Sequence, residues 1–268
     1  MSDMNRSFAG SMPEFYDRIL VPVMFEPFAL DLAERLRGMS SGQVLELAAG
    51  SGVVTRALVR ILPGQVTITA TDLNPAMLDR AKSHSGLERV QWQEADALAL
   101  PFADRQFDYV LCQFGVMFFP DKRAAFREAC RVLQPGGGFL FSVWGDRTDS
   151  PFELVAQVVG ECLSRDPASL VSSPYNEVET VHGDLAGAGF ASITVEEITK
   201  VTHSNSARDA AMTMTHGGLI RAAIEAQAPD RLDEITDAAA TAIAARFGNG
   251  AIDAPLRALL FAAVRPNE

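Results

Sequence analysis

The sequence has few cysteines and few histidines, and both are scattered. Its three cysteines, Cys112, Cys130 and Cys162, are odd in number and far apart, so we expect free thiols rather than disulfides. The four histidines, at positions 84, 182, 203 and 216, show no spacing typical of metal ligands. The sequence therefore predicts a protein without a metal site.

Long apolar runs and basic tracts are also missing. No run approaches the roughly 20 apolar residues of a membrane span, and residues 1–10 lack the basic and apolar regions of a secretory signal. We therefore expect a cytoplasmic protein. Lys and Arg total 23 against 34 Asp and Glu, a net charge of −11. Because a nucleic-acid backbone repels such a surface, we expect a small-molecule partner and no nucleic acid.

The most informative stretch runs from Val44 to Thr55. A short apolar run ends at the acid Glu46, small residues follow, and a helical pattern begins at Val53. This order predicts a strand, a tight turn and a helix. Small residues let a ligand lie against bare backbone, and the start of a helix offers unpaired N–H groups. A turn with a purely structural role is the alternative.

Two ligand classes compete for this turn. The dinucleotide fingerprint needs a small residue where Thr55 stands, and a pyrophosphate favours positive potential, whereas Glu46 adds negative charge. The turn instead resembles the first motif of the class I S-adenosylmethionine (SAM) methyltransferases, an acid followed by spaced glycines. The match covers Glu46, Gly50 and Gly52, and it departs at Ala48, where the family most often has glycine. We expect Ala48 to fit only with a negative φ.

Asp72 ends the next predicted strand, about 20 residues beyond the turn, which is where a βαβ unit places a ribose-binding carboxylate. A helix N-cap is the alternative role for Asp72, but Asn74 is better spaced to cap the helix that follows. With the resemblance, Asp72, Leu73 and Met77 are predicted to bind the cofactor.

Two later strand ends complete the predicted cofactor site. The resemblance implies that Asp96, Ala97 and Leu98 contact the adenine, although Asp96 is also a residue type that forms turns. Gln113 follows an apolar strand and is expected near the methionine part of the cofactor or the incoming nucleophile. The segment from Leu133 to Gly137, Leu-Gln-Pro-Gly-Gly, is typical of the family, and we expect it to have an architectural role. Its Pro and Gly residues predict a helix exit, with the next strand starting at Phe139.

These motifs predict an α/β fold, and the resemblance covers roughly residues 40–145. It implies a doubly wound, mostly parallel seven-stranded sheet with helices on both faces and an antiparallel last strand. The resemblance also implies that residues 1–40 form an N-terminal helical lid that brings Tyr16 near the cofactor. An amphipathic helix that covers the edge of the sheet is the alternative. Residues 41–268 would then form the SAM-binding domain, with helical caps at about 146–190 and 205–250 over the acceptor pocket.

The resemblance implies methyl transfer from SAM to a small, lipophilic acceptor, with S-adenosylhomocysteine as product. By pattern the chain is similar to the ubiquinone/menaquinone-biosynthesis-like methyltransferases. A base is optional because a sulfonium methyl is already a good electrophile, so His216 and His203 are weak catalytic candidates that ordinary structural roles also explain. A nicotinamide-dependent Rossmann oxidoreductase and a non-catalytic SAM-binding relative are the alternatives.

Overall fold

The computed structural model describes residues 12–148, 150–171 and 175–267. These residues fall into two compact units. The sheet unit comprises residues 28–145, 175–198 and 258–267. The helical unit comprises residues 12–27, 146–148, 150–171 and 199–257.

Seven strands form one sheet in the order β3-β2-β1-β4-β5-β7-β6. The neighbours β1/β2, β1/β4, β2/β3 and β4/β5 are parallel, and β7 runs antiparallel to β5. The predicted fold, a mostly parallel seven-stranded sheet with an antiparallel last strand, is confirmed. The strands are β1 Gly42–Glu46, β2 Val66–Asp72, β3 Gln91–Glu94, β4 Phe107–Gln113, β5 Leu133–Trp144, β6 Ala191–Ser204 and β7 Ile252–Val264.

The strand order reverses between β1 and β4, and this reversal places the site. β1 lies next to β2 on one side and next to β4 on the other, with Glu46 in register with Ala70 and with Leu111. The centres of β1 and β4 are fully buried, as strands covered on both faces require. A doubly wound sheet opens a crevice at the carboxyl ends of the strands where the order reverses, so ligands are expected there.

Nine helices are labelled α1 to α9 along the described residues, and their ends follow local sequence signals. Asn74 caps α3, as the sequence predicts, by accepting from the N–H group of Ala76. Asp121 caps α4 by accepting from the N–H group of Ala124. Three successive segments, Met12–Phe15, Tyr16–Phe25 with π-helical hydrogen bonding and Glu26–Glu34, make up α1. The others are α2 Val53–Ile61, α3 Pro75–Lys82, α4 Lys122–Val132, α5 Pro151–Leu163, α6 Val178–Gly187, α7 Ala207–Thr215, α8 Gly218–Gln227 and α9 Leu232–Phe247.

The Pro-Gly-Gly segment is part of β5, whereas the sequence predicts a helix exit with the strand starting only at Phe139. Strand β5 begins at Leu133, directly after α4. The guanidinium of Arg265 explains the abrupt change, because it donates to the carbonyls of Cys130, Arg131 and Leu133 at 2.6–2.8 Å. These bonds satisfy carbonyl groups that the helix end leaves without partners.

The helical unit has its own hydrophobic core, formed by α5, α7, α8 and α9. Val159, Ile224, Ile235 and Ile243 are each fully buried in it. The chain breaks at Gly217–Gly218 and near Pro229, as the sequence predicts. No helix in the described ranges combines the length and the apolar character that a membrane crossing needs.

The compact units do not follow the predicted domain boundaries. Helix α6, inside the predicted cap at about 146–190, belongs to the sheet unit, where its Asp184 pairs with Arg123 of α4. The predicted lid at residues 1–40 is divided after Pro27, and its residues 1–11 lie outside the described residues. That the helical segments cover an acceptor pocket stays a prediction.

The Pro-Gly-Gly segment yields a stability prediction. A β-carbon on Gly137 would lie 2.9 Å from the carbonyl oxygen of Gln134 and 3.0 Å from that of Asp108, closer than side chains tolerate. We expect Gly137→Ala to lower the free energy of unfolding by about 2 kcal/mol, measured by urea denaturation. Gly183→Ala in α6 is the matched control, because open space surrounds Gly183 and alanine favours helix by up to about 1 kcal/mol. Equal effects of both substitutions would contradict the packing argument.

Candidate functional site

Glu46 is the last residue of β1, and its side chain is buried at the carboxyl edge of the sheet. The hydroxyl of Thr55, in the first turn of α2, donates to Glu46 Oε2 at 2.6 Å. The Thr71 hydroxyl donates to the Glu46 backbone carbonyl at 2.9 Å. Burial raises the pKa of the Glu46 carboxyl from 4.5 to about 8, against the lowering effect of the Thr55 hydrogen bond.

This pKa corrects one step of the sequence argument. Glu46 was expected to bring negative charge to the turn and thereby to disfavour a pyrophosphate. A carboxyl with a pKa of about 8 is mainly protonated at neutral pH, so that charge is largely absent. The second argument against a dinucleotide concerns position 55, where the dinucleotide fingerprint needs a small residue. The structure strengthens this argument, because Thr55 is fully buried and hydrogen-bonded to Glu46.

The turn between β1 and α2 has three residues with positive φ. Gly50 and Gly52 have φ of 56° and 81°, which glycine adopts at little cost. Ala48 has φ of 51°, so the expectation of a negative φ at this position is wrong. The left-handed region costs a non-glycine residue roughly 1–2 kcal/mol, an amount that the surrounding hydrogen bonds can offset.

Asp72, at the end of β2, holds this turn in place. One carboxylate oxygen accepts from the Gly50 N–H at 2.8 Å, and the other accepts from the Asn74 N–H at 2.8 Å. The Ala49 N–H donates to the Thr71 carbonyl at 2.9 Å. Burial raises the pKa of Asp72, and hydrogen bonds from the backbone N–H groups of Asn74, Gly50 and Leu73 counteract that effect. The structure thus brings Asp72 directly to the glycine turn.

Asp96 lies at the same edge of the sheet. Strand β3 is in register with β2, with Asp72 opposite Glu94, and the Ala95 N–H donates to the Asp72 carbonyl at 3.1 Å. Asp96 is exposed and accepts from the Leu98 N–H at 2.9 Å, so the turn-forming role weighed for it is also present. The three acids Glu46, Asp72 and Asp96 therefore follow adjacent strands at one edge.

The neighbouring cofactor candidates differ in exposure. Leu73 is 43% exposed. Met77 is buried, and its methyl carbon lies 3.5 Å from the position that a β-carbon on Gly50 would take. Ala97 is buried, and Leu98 is half-buried beside the exposed Asp96. Leu73 and Leu98 are therefore the two of these apolar side chains that reach the surface.

The end of β4 lies against the glycine turn from the other side. A β-carbon on Gly115 would lie 2.6 Å from the β-carbon of Ala48, so only glycine allows this approach. Gln113 ends β4 and is half-buried. Phe114, the next residue, has φ of 52°, and a strained backbone of this kind is often found at functional sites.

The remaining predicted site residues belong to the helical unit. Tyr16 lies in the π-helical segment of α1, His203 in β6 and His216 directly after α7. His203 is exposed and pairs with Asp253 at 2.7 Å. The proposed place of Tyr16 near the cofactor and the catalytic candidacy of both histidines stay predictions.

Sequence reasoning missed the residues that support the site. Thr55 entered it only as a departure from glycine, and Thr71 and Gly115 received no role. The signal for Thr55 was available, since a β-branched hydroxyl residue in the first turn of a helix can reach back to the preceding strand end. Thr71 and Gly115 act through contacts between neighbouring strands. These contacts depend on the order and register of the strands.

A model of a methyltransferase domain matches residues 44–137, the stretch that carries all four strand ends. The chain is also similar to the ubiquinone/menaquinone biosynthesis C-methyltransferase UbiE of Serratia proteamaculans. The two are 29% identical over 193 residues, a match that covers 66% of this chain and 76% of that protein.

Three further proteins are similar to this chain in sequence or in fold. An uncharacterised Mycobacterium tuberculosis protein is 43% identical over 104 residues, 38% of this chain, and the match spans only 37% of the mycobacterial protein. Haemonchus contortus phosphoethanolamine N-methyltransferase 2, solved with SAM, has a TM-score of 0.62 at 18% identity and covers 99% of this chain and 60% of its own. YcgJ of Bacillus subtilis has a TM-score of 0.58 at 20% identity, and the match covers 90% of this chain and 100% of YcgJ.

Buried Glu46 makes the stability of this protein depend on pH. Because its folded-state pKa is raised above the unfolded value, the folded state binds the proton more tightly, and stability falls as pH rises from about 4.5 to about 8. We expect Glu46→Gln to remove this decline, so that the variant gains up to a few kcal/mol over the wild type at pH 8 and little at pH 4.5.

Urea denaturation across this pH range measures the effect. Glu179→Gln, at an exposed position of α6, is the matched control and should follow the wild type at each pH. If the free energy of unfolding of Glu46→Gln changes with pH in parallel with that of the wild type, the carboxyl of Glu46 does not titrate in this range.

Proposed function

We propose that this chain binds SAM at the carboxyl ends of β1 to β4 and transfers its methyl group to a small, apolar acceptor. The observation that carries the proposal is the joining of the glycine turn to the end of β2 through the Asp72 carboxylate. A ligand lying on this turn meets bare backbone and one carboxylate together. The same edge offers the exposed Asp96 and Leu73 to the rest of the ligand.

Each part of SAM has a chemically suitable partner along this edge. Asp72 is proposed to accept from the ribose hydroxyls with its remaining lone pairs. The segment from Asp96 to Leu98 takes the adenine, with the carboxylate accepting from the exocyclic amine. Leu73 and Met77 cover the face of the ring, which accounts for the exposed apolar side chain of Leu73.

The methionine part of SAM is proposed to lie over the turn from Ala48 to Gly52, near Gln113. Its ammonium and sulfonium groups are cationic, and the buried Glu46 carboxyl is the neighbouring acid. A bound cation favours the ionised carboxylate, so SAM binding lowers the pKa of Glu46 from its high value in the free protein. Glu46 thereby offsets positive charge that would otherwise be poorly solvated at this edge.

A small apolar acceptor agrees with the rest of the chain. The net charge of −11 disfavours polyanions. Phe118 and Phe119 follow the end of β4 and are half-buried, so they offer apolar surface beside the proposed methyl donor. The UbiE relative is named for C-methylation in quinone biosynthesis, which supports an acceptor of similar apolar character here.

The proposed reaction is an in-line displacement. The electron pair of the nucleophile forms a bond to the methyl carbon, the bond from that carbon to sulfur breaks, and its electrons leave on the neutral thioether of S-adenosylhomocysteine. The protein contributes mainly by holding both reactants in line and excluding water, an effect that can be worth several kcal/mol.

Turnover with a defined acceptor panel tests the function. The full chain is incubated with SAM carrying a deuterated methyl group and with phenols, naphthols and cyclic 1,3-diketones, and the products are analysed by mass spectrometry. We expect the labelled methyl group on at least one acceptor, together with stoichiometric S-adenosylhomocysteine. Thermal stabilisation by S-adenosylhomocysteine without any transfer would indicate a binding-only relative. Stabilisation by NAD(H) alone would indicate an oxidoreductase.

Asp72 yields a binding prediction that needs no acceptor. Asp72→Ala removes the partner of the Gly50 N–H and the proposed ribose ligand, so we expect S-adenosylhomocysteine affinity to fall about 10- to 100-fold in calorimetry. Gly50→Val should also weaken binding, because valine tolerates a φ of 56° poorly and fills the ligand's space. Gly64→Ala, in open space, is the control. Unchanged affinity in Asp72→Ala would place the cofactor elsewhere.

A further inference from the structure

Ser142 carries a buried hydroxyl near the carboxyl end of β5. The residue is 4% exposed, and its backbone carbonyl accepts from the Phe114 N–H at 3.0 Å. Among the residues that the structure describes, no group forms a hydrogen bond with the Ser142 hydroxyl. Buried hydroxyls nearly always have a partner, because a buried polar group without one costs the folded protein free energy. We therefore looked for a partner outside the protein.

The neighbours of Ser142 in the sheet form an apolar wall around its hydroxyl. Leu140 and Trp144 lie two residues before and after it and share its face of the sheet. Leu260 lies opposite it on β7, and Gln113 lies opposite it on β4. Of these four neighbours, the three apolar ones are buried and Gln113 is half-buried. The hydroxyl thus lies among apolar side chains and beside one amide.

Three aromatic side chains join the ends of β4 and β5 next to this hydroxyl. The ring of Trp144 stacks on that of Phe114, with centroids 3.8 Å apart. Phe28 contacts both rings edge-on, at 5.4 Å from Phe114 and 5.7 Å from Trp144. All three residues are buried. A small number of polar groups within an apolar lining is the usual composition of a site for a small molecule.

The end of β5 adjoins the proposed cofactor surface within the sheet unit. The register of β1, β4 and β5 turns the side chains of Glu46, Gln113 and Ser142 to the same face. Only β4 separates β5 from β1, a distance of about 10 Å at the usual spacing of neighbouring strands. Two residues beyond Gln113, Gly115 packs against Ala48 of the glycine turn. Ser142 is thus one strand away from the proposed place of the methionine part of SAM.

We propose that the Ser142 hydroxyl binds an oxygen of the methyl acceptor and so selects acceptors with a carbonyl or phenolic oxygen. The inference rests on the proposed function and extends it from an apolar acceptor to an oxygenated one. The hydroxyl donates its one hydrogen to that oxygen. A ring of the same shape without oxygen leaves the hydroxyl without a partner and therefore binds more weakly. Ser142 orients the acceptor and takes no proton from it.

Thermal unfolding without ligands tests whether the protein itself lacks a partner for this hydroxyl. Because Ser142→Ala removes a polar group that has no partner, Tm should rise by about 2–4 °C. Ser150→Ala is the matched control, since Ser150 is also buried but accepts from the Phe152 N–H at 3.2 Å, and its Tm should fall. A lower Tm for Ser142→Ala would show that the hydroxyl has a partner inside the protein and would overturn the proposal.

Calorimetry on the full chain saturated with S-adenosylhomocysteine tests the recognition of oxygen without turnover. Naphthol and naphthalene share a ring system and differ by one oxygen. In Ser142→Ala the preference for naphthol over naphthalene should fall about 10-fold, through weaker binding of naphthol alone. Ser85→Ala, at an exposed position of the sheet unit, should match the wild type. An unchanged preference, an equal loss for both compounds, or no binding of naphthol would overturn the proposal.

Kinetics separate this inference from the proposed function. For the oxygenated panel acceptors that the wild type methylates, Ser142→Ala should raise the acceptor KM about 10-fold and leave the affinity for S-adenosylhomocysteine unchanged. An unchanged KM refutes the role of Ser142 and leaves methyl transfer established. Absence of both S-adenosylhomocysteine binding and methyl transfer in the wild type refutes the proposed function. The comparison of naphthol with naphthalene, made on the free chain, then still decides whether Ser142 binds oxygen.

Discussion

The backbone N–H of Gly50 is bound by a carboxylate from the neighbouring strand, and the candidate site depends on this bond. A turn with positive φ at Ala48, Gly50 and Gly52 is not a conformation that the chain holds by local preference alone. Asp72 supplies a charge-assisted hydrogen bond, worth about 1.5–3 kcal/mol, and the adjacent Ala49 N–H bonds to the Thr71 carbonyl. The turn is therefore shaped by β2, and β2 must pair with β1 before a cofactor surface exists.

Burial of a carboxyl group at the end of β1 is the second constraint. Glu46 has lost its contact with water, and the Thr55 hydroxyl only partly compensates for that loss. The raised pKa expresses a cost that the folded protein bears at neutral and higher pH. A binding site often keeps such a group because a ligand of opposite charge uses it, and in the proposed function that ligand is a cation.

Much of the fold was predictable because the signals were local. Asn74 before Pro75 and Asp121 before α4 are caps that a short window reveals, and the apolar character of β4 marks a strand buried on both faces. The mostly parallel sheet with an antiparallel last strand followed from the resemblance rather than from periodicity. The start of β5 was misplaced because Arg265, far along the chain, satisfies the end of α4.

The meeting of the candidate acids at one edge was predictable from the sequence, and their contact with a ligand stays a prediction. Glu46 and Asp72 end β1 and β2 and Asp96 follows β3, and parallel strands bring such ends together. The positive φ of Ala48 could not be predicted, because it depends on the close approach of Gly115 from β4 and on the Asp72 bond to Gly50. The raised pKa of Glu46 was equally out of reach, since charge in a sequence carries no information on burial.

The central claim is that one edge of the sheet, organised by Asp72, holds an adenosyl group. A crystal structure of the full chain with S-adenosylhomocysteine tests this claim most directly. The account predicts ribose hydroxyls within hydrogen-bond distance of the Asp72 carboxylate, with the adenine beside Asp96, Ala97 and Leu98. A ribose that contacts other residues, or density for the ligand away from this edge, would contradict it.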